Sequence, residues 1–555
     1  MSKLTMKKPT SGAEQAWWRT SVIYEIYPRS FADTTGNGVG DLQGITRRLA
    51  YVGEILGADA VWIAPFYPSP MADFGYDVAD YTDVDPLFGT LEDFDHLVEE
   101  AHQRGLRVII DFVPNHTSDQ HPWFQASRSA QDSPKRDWYI WADPASENPR
   151  TPPNNWLSVF GGPAWTWDET TGQYYMHSFL EEQPDLNWRN PEVRDAMFDQ
   201  MRFWLERGVD GFRLDVINYL IKDAELRDDP PGPSPSPWDS GEYATLTHRC
   251  SKDRPEVFEI VQTMRDLTDK YGARILIGEV YHPDVEFWAR FYGDAPGEGL
   301  HLPFNFRLML AEWTAPAIRA EVERVERAVP AWGWINNVLG SHDVSRVASR
   351  VGRRQARVAA MLLLTLRGTP TLYYGDEIGM TDVAIPSNRV QDPYGQRVAG
   401  SGRDPCRTPM QWSAGLNAGF SPAETEELWL PLAETYESVN VAEQLDDPAS
   451  SLTLYRRLLS YRRATPALQH GGYDSVGDTP PACYVYWRRP PSGEGGRHVL
   501  VALNFSDQEE HLSLSSPGKG VVMMSTHLDR SGDVDWSDIV LRGDEGIIIE
   551  VESGL

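Results

Sequence analysis

Short apolar, β-branched runs alternate with amphipathic helical stretches along most of this chain, and that alternation leaves few folds open. Val22–Pro28 (VIYEIYP), Ala60–Pro65 (AVWIAP) and Leu106–Val113 (LRVIIDFV) are the first three runs. Between the second and third, Phe94, Leu97, Val98 and Ala101 fall on one helical face. Thr90 can cap that helix, Glu92 and Asp93 suit its positive end, and Gly105 can stop it. The pattern resumes where Asn190-Pro191-Glu192 opens a helix, carried by Val193, Met197, Met201 and Trp204 and stopped at Gly208. Further runs lie at Gly211–Val216, Arg274–Val280, His301–Phe306, Trp334–Leu339 and Thr369–Tyr374. Near-continuous apolar runs are what a parallel sheet covered on both faces requires. Eight of them in one chain predict an α/β protein built on a (β/α)8 TIM barrel.

Two stretches break the rhythm. Residues 114–187 are rich in Pro, Trp, Asn and Asp and are too long for a plain loop, so they read as a subdomain inserted after strand 3. Asp229–Pro237 (DPPGPSPSP) reads as a mobile loop. From about Gly472 the runs Tyr484–Trp487, His498–Asn504, Gly520–Met524 and Gly546–Val551 have no helix between them and predict a C-terminal all-β sandwich domain. The expected division is a barrel over 1–113 and 188–471, an inserted subdomain over 114–187 and a β-sandwich over 472–555.

Composition narrows the partners. A formal net charge of −30 speaks against nucleic acid and against anionic membranes, both of which recruit Lys and Arg. No run of about 18 apolar residues is present, so no membrane span is expected. Met1–Trp18 lacks the apolar core of a signal peptide, which points to the cytoplasm. Cys250, Cys406 and Cys483 are too scattered for a disulfide framework or a metal cluster.

In such a barrel, reactive residues belong at the C-terminal ends of the strands. The fourth run ends in Gly211-Phe212-Arg213-Leu214-Asp215, the fifth in Ile277-Gly278-Glu279, and the seventh leads into Ser341-His342-Asp343. A single acid at a strand end is more often a turn former or helix cap. Three acids from three strand ends converge on one mouth, where paired carboxyl groups can do acid/base and nucleophilic work.

These segments also carry a resemblance. DFVPNH at 111–116, GFRLDV at 211–216, GEVY at 278–281 and SHD at 341–343 look like the four signature regions of the α-amylase superfamily, glycoside hydrolase family 13. QPDLNW at 183–188, GTPTLYYGDEIGM at 368–380 and RTPMQW at 407–412 resemble its oligo-1,6-glucosidase subfamily, which includes bacterial α-glucosidases. The resemblance implies a barrel, a domain after strand 3 and a β-sandwich C-terminus. It implies a retaining, exo-acting α-glucosidase acting on short α-glucosides of the maltose, isomaltose and sucrose class, with some transglucosylation.

Retention needs two carboxyl groups about 5–5.5 Å apart, one nucleophilic and one protonated. The resemblance makes Asp215 the nucleophile, Glu279 the general acid/base and Asp343 the residue that binds and distorts the sugar. Arg213 is expected beside Asp215, holding it ionised. By the same resemblance His116 and His342 bond sugar hydroxyls, Asp73 bonds one more and Tyr76 stacks on the ring. Arg403, in preference to Arg407, clamps the terminal glucose, and Phe160 and Phe179 wall the aglycone side. Val216, after the nucleophile, matches relatives that cleave α-1,6 bonds, whereas Thr or Ala goes with α-1,4 cleavage.

The segment Asp33, Thr35, Asn37, Val39, Asp41 has the alternate-position pattern of hard-cation loops and resembles the family's Ca²⁺ or Mg²⁺ loop. A plain glycine-rich turn is the other reading. A bound ion there would be structural, since two-carboxylate chemistry needs no metal. Ser341 departs from the Asn usual before His-Asp. The alternative activity is a glucosyl transferase or isomerase on the same site, such as trehalose synthase, sucrose isomerase or an amylosucrase-like enzyme. Sucrose isomerases carry an Arg-Leu-Asp-Arg-Asp run absent here. A non-catalytic transporter heavy chain would carry a membrane span and lack these acids. The expected partners are small oligosaccharides, with the chain a monomer or homodimer.

Overall fold

The computed structural model describes residues 14–148, 150–397, 402–423, 427–491, 496–514 and 518–551. The outer limits of the expected division, residues 1 and 555, and most of the Met1–Trp18 segment lie outside them.

Eight parallel strands close into a barrel. They are β1 (Ile23–Ile26), β2 (Ala60–Ile63) and β3 (Arg107–Phe112), then, after three strands of an insertion, β7 (Gly211–Leu214), β8 (Ile275–Gly278), β9 (Leu302–Asn305), β10 (Asn336–Val338) and β11 (Thr369–Tyr373). β1 pairs with β2 on one side and β11 on the other, which closes the ring. Every residue of these strands is buried except the partly exposed Arg107 at the start of β3, because one face packs inside the barrel and the other under the helices. Ile23, Trp62, Ile109, Ile277 and Phe304 fill the barrel interior. Gly211 is required where β7 meets β8, since a Cβ there would sit 2.5 Å from the Ile275 carbonyl oxygen.

The helices follow their sequence signals. Leu91–Gln103 begins with a reciprocal capping box between Thr90 and Asp93 and buries Phe94, Leu97, Val98 and Ala101. Pro191–Glu206 is capped by Asn190, whose side chain accepts from the Glu192 amide. Behind the barrel wall, Glu377 accepts from the Tyr24 hydroxyl at 2.7 Å and the Tyr51 hydroxyl at 2.8 Å. Its neighbour Asp376 is buried 3.9 Å from Arg346, and burial with the Glu377 charge pushes its carboxyl up to about 7.

Between β3 and β7 lies a three-stranded antiparallel sheet, β4 (Trp141–Ala142), β5 (Trp165–Asp168) and β6 (Gln173–Met176), with β6 central. It has a small core of its own around Trp156, Trp165 and Tyr174. Asp229–Pro237, read as a mobile loop, is instead anchored: Asp229 is fully buried and accepts from the Cys250 amide and the Ser251 hydroxyl.

The C-terminal strands are β12 (Gly472–Ser475), β13 (Cys483–Arg489), β14 (His498–Asn504), β15 (Glu510–Leu512), β16 (Lys519–Ser525), β17 (Gly532–Asp535), β18 (Ile539–Leu541) and β19 (Gly546–Val551). They form a six-stranded antiparallel sheet and a two-stranded one, β15–β18. Leu512, Ile539 and Leu541 of the smaller sheet share a core with Val485, Leu500 and Ile549 of the larger. The sandwich is therefore lopsided. The three cysteines are free, and among the described residues no helix is long and apolar enough to cross a membrane.

Candidate active site

The C-terminal ends of β3, β7 and β8 bring three carboxyl groups onto one guanidinium. Arg213 Nη1 lies 2.8 Å from Asp111 Oδ1 and 2.7 Å from Asp215 Oδ1, and its Nη2 lies 2.7 Å from Glu279 Oε2. All four side chains are nearly or fully buried. Burial, then the Glu279 charge and a hydrogen bond between the two carboxyls, pushes Asp215 well above the usual carboxylate range against the pull of Arg213. Burial likewise pushes Asp111 to about 6. Three acids sharing one cation thus retain a proton near neutral pH.

Val216, directly after Asp215, has φ of 36°, in the left-handed region that a β-branched side chain avoids. Its amide donates to Glu279 Oε2 at 3.0 Å. Backbone strain of this kind persists only where the surroundings enforce it, and it clusters at working sites.

A second cluster faces the first. Arg403 Nη2 lies 2.6 Å from Asp73 Oδ1 and 2.7 Å from Asp392 Oδ1, and its Nη1 lies 3.3 Å from Asp343 Oδ1. Arg407 Nη2 lies 2.9 Å from the same Asp343 oxygen. Burial opposes the charge on Asp343, but His342, Arg403 and Arg407 outweigh it and hold this carboxyl well below the usual range. Asp392 is held down at about 2, where Arg403 overcomes the cost of burial.

Both clusters border one cavity of about 350 Å³. Asp73, Tyr76, His116, Phe160, Phe179, Asp215, Glu279, Asp343 and Arg403 all line it. Phe160 and Phe179 stand 5.9 Å apart, and Arg403 lies 5.5 Å over the Phe160 ring. Arg407 is fully buried and does not border the cavity; it donates to the His342 carbonyl. His116 is neutral, its imidazole pushed down to about 4 by burial, with Nε2 3.2 Å from the Tyr76 carbonyl.

Two predicted residues sit beneath the lining. Arg213 acts on the cavity only through the carboxyls it holds. His342 has Nε2 at 2.8 Å from the Tyr76 hydroxyl and Nδ1 at 2.5 Å from Glu25 Oε1, so both ring nitrogens meet protein partners. Burial pushes its imidazole down to about 3. The Ser341 hydroxyl accepts from the Asp343 amide at 3.2 Å.

Several residues of this site were not singled out from the sequence. Glu25, fully buried in β1, had a signal: a charge inside an apolar run. Asp111 lay in a quoted motif without a role. Asp392, Asp239 and Trp238 come from irregular loops and Tyr219 from the single 3-10 turn Ile217–Tyr219, where no periodicity marks them.

The Asp33–Asp41 segment stands apart. Asp33 Oδ1 accepts from the Thr35 and Gly36 amides and Oδ2 from the Gly38 amide and the Ser421 hydroxyl. Asp41 accepts from Thr34 and caps the next helix through the Gly44 amide. Asn37 Oδ1 accepts from the Val39 amide at 2.9 Å. The loop's side-chain oxygens accept from its own N–H and O–H groups, an arrangement that a glycine-rich turn and a cation loop share.

Comparison with known proteins adds an independent line. Residues 25–471 match the family described as alpha amylase, catalytic domain. A probable alpha-glucosidase of Rhizobium meliloti strain 1021 is 45% identical, covering 91% of this chain and 93% of its own length. An oligo-1,6-glucosidase of Parageobacillus thermoglucosidasius is 38% identical over 89% of this chain and 91% of its own. Among solved structures, an alpha-glucosyl transfer enzyme, XgtA, superposes with a TM-score of 0.88 at 40% identity, covering 96% of this chain and 99% of that one.

Proposed function

We infer, for a chain that belongs to the α-amylase family of glycoside hydrolases, that it works as a retaining, exo-acting α-glucosidase on short α-glucosides. The observation that carries this reading is the Asp215–Glu279 pair, each carboxyl 2.7 Å from a nitrogen of the one Arg213 guanidinium and both bordering the cavity. Inverting enzymes hold their carboxyls about 6.5–9.5 Å apart to seat a water between them. Two carboxyls held on one guanidinium support the double displacement instead.

Positive charge developing at the anomeric carbon favours ionised Asp215 as the nucleophile, with Glu279 as the proton donor. Asp215 then attacks the anomeric carbon, the glycosidic bond breaks, and the Glu279 proton passes to the departing oxygen. A covalent β-glucosyl ester remains. Glu279 next takes a proton from water as the water oxygen attacks the same carbon, the ester bond to Asp215 breaks, and α-glucose leaves. Asp343, kept ionised, accepts from sugar hydroxyls, and Tyr76 offers its face to the ring. The Arg403–Asp73–Asp392 cluster closes the inner end, so that only a terminal glucose fits. His342 serves this reading by holding Tyr76 and Asp343 in position. Proton NMR of freshly released glucose tests it: α-glucose appears first, and initial β-glucose would overturn it.

One observation favours glucosyl transfer as a second activity. Phe160, Phe179, Tyr219, Trp238 and Leu310 give the outer cavity an apolar wall, which disfavours water relative to an organic acceptor. The structural similarity to an alpha-glucosyl transfer enzyme points the same way.

A divalent cation held by Asp33, Thr35, Asn37, Val39 and Asp41 would compete with the loop's own donors. Its proposed role is weak and structural. The free thiols support a cytoplasmic setting, which cell fractionation would check.

A further inference from the structure

We propose that the opposite, N-terminal face of the barrel carries a second ligand site, one that takes a single pyranose ring bearing an anionic group. A cavity of about 190 Å³ opens there, roughly half the size of the catalytic one. That ratio suits one sugar ring where the catalytic cavity takes two. Its walls precede strands: Trp18 and Arg19 come before β1, Tyr292 before β9, and Trp332 and Trp334 before β10.

Four aromatic side chains around so small a space exceed what closing a barrel end needs. They are also fixed in place. The Tyr292 hydroxyl donates to the Trp334 carbonyl at 3.0 Å, and Trp334 Nε1 donates to the Thr369 hydroxyl at 3.1 Å. Aromatic faces offer the C–H side of a pyranose a flat, apolar bed at low entropic cost.

The polar complement is made of donors. Trp332 Nε1 and Arg19 Nε are both out of water with no partner. An unmet buried donor destabilises the site, so a ligand that brings acceptors recovers that cost. The charge points to an anion. Arg19 spends one nitrogen on the Trp332 carbonyl at 2.9 Å and lies 5.5 Å over the Trp334 ring. A second guanidinium, Arg367, lies over the same ring and is itself paired with Glu326 at 2.8 Å, while no carboxylate among the described residues pairs with Arg19.

The test uses the full chain carrying Asp73→Ala, which weakens the catalytic glucose pocket, and titrates it calorimetrically with glucose 6-phosphate, glucuronate, glucose and inorganic phosphate. The two anionic sugars bind, and glucose and phosphate bind more weakly. Arg19→Gln and Trp332→Phe, the latter keeping a ring but no N–H, each weaken the anionic sugars by about tenfold, the loss of one charge-assisted or buried hydrogen bond. Both substitutions in the otherwise native chain leave maltose hydrolysis unchanged, which certifies the fold. The proposal falls if neither anionic sugar binds, if both substitutions leave binding unchanged, or if phosphate alone binds as tightly as the sugar phosphate.

Discussion

The Val216 amide donates to Glu279 Oε2 across 3.0 Å, from a backbone conformation that valine rarely adopts. The strained residue after Asp215 therefore orients Glu279 on the neighbouring strand. Val216→Gly relieves the backbone strain but also removes a buried side chain, so the melting temperature should change little while kcat falls because the orienting amide is less well held. Calorimetry alongside maltose kinetics checks that activity falls without a matching loss of stability.

The Val216 side chain also lines the cavity. Val216→Thr should shift the ratio of isomaltose to maltose kcat/KM toward maltose by roughly tenfold, within the ~1–3 kcal/mol that one small group commands in a pocket. A side-by-side disaccharide panel measures it; an unchanged ratio would place linkage choice elsewhere on the wall.

Asp215→Ala should lower glucose release by about 10⁴-fold or more, as loss of a nucleophile does. The melting temperature should not fall, since the substitution takes one of three acids away from a single guanidinium. A parallel loss of stability and activity would mean that Asp215 is structural.

Arg403→Gln leaves Asp73, Asp343 and Asp392 facing one another with one cation fewer. Removing one partner of a buried ion cluster costs about 3–5 kcal/mol. We expect kcat/KM to fall by two orders of magnitude or more, roughly the lower end of that range, and Arg403→Lys to restore little because it lacks the planar fork.

Asp376 supplies the pH prediction. Its carboxyl is raised from an ordinary value of 3.8 to about 7, so the fold prefers the protonated form. That stability is fully present below about pH 4 and is lost as the pH rises through about 7. The melting-temperature difference, wild type minus Asp376→Asn, should therefore decline across that window. A difference independent of pH would contradict the shift.

The architecture was legible where one physical requirement dominates. All eight barrel strands announced themselves as apolar runs, and Thr90 and Asn190 marked their helices, because burial on both faces and unmet amides leave composition little choice. The short strands β12, β15, β17 and β18 were missed: stretches such as GYDS and GDVD are polar edge segments that pairing alone holds in place. At the site, Asp215, Glu279 and Asp343, read from strand ends, do border one cavity. Asp392 and Asp239 escaped because a loop acid acquires meaning only from the partner that folding brings to it. His342 was read as touching sugar, whereas both its nitrogens are turned to Tyr76 and Glu25.

The contact between Arg403 and Asp73 spans 330 residues of chain. On the ribosome, Asp73 is made long before its cation exists, and Asp215, Arg213 and Glu279 can meet while the clamp is still untranslated. A nascent chain thus places the groups proposed to cut before the contact proposed to limit them to a terminal sugar, so a chain ended before residue 403 would keep the first and lack the second.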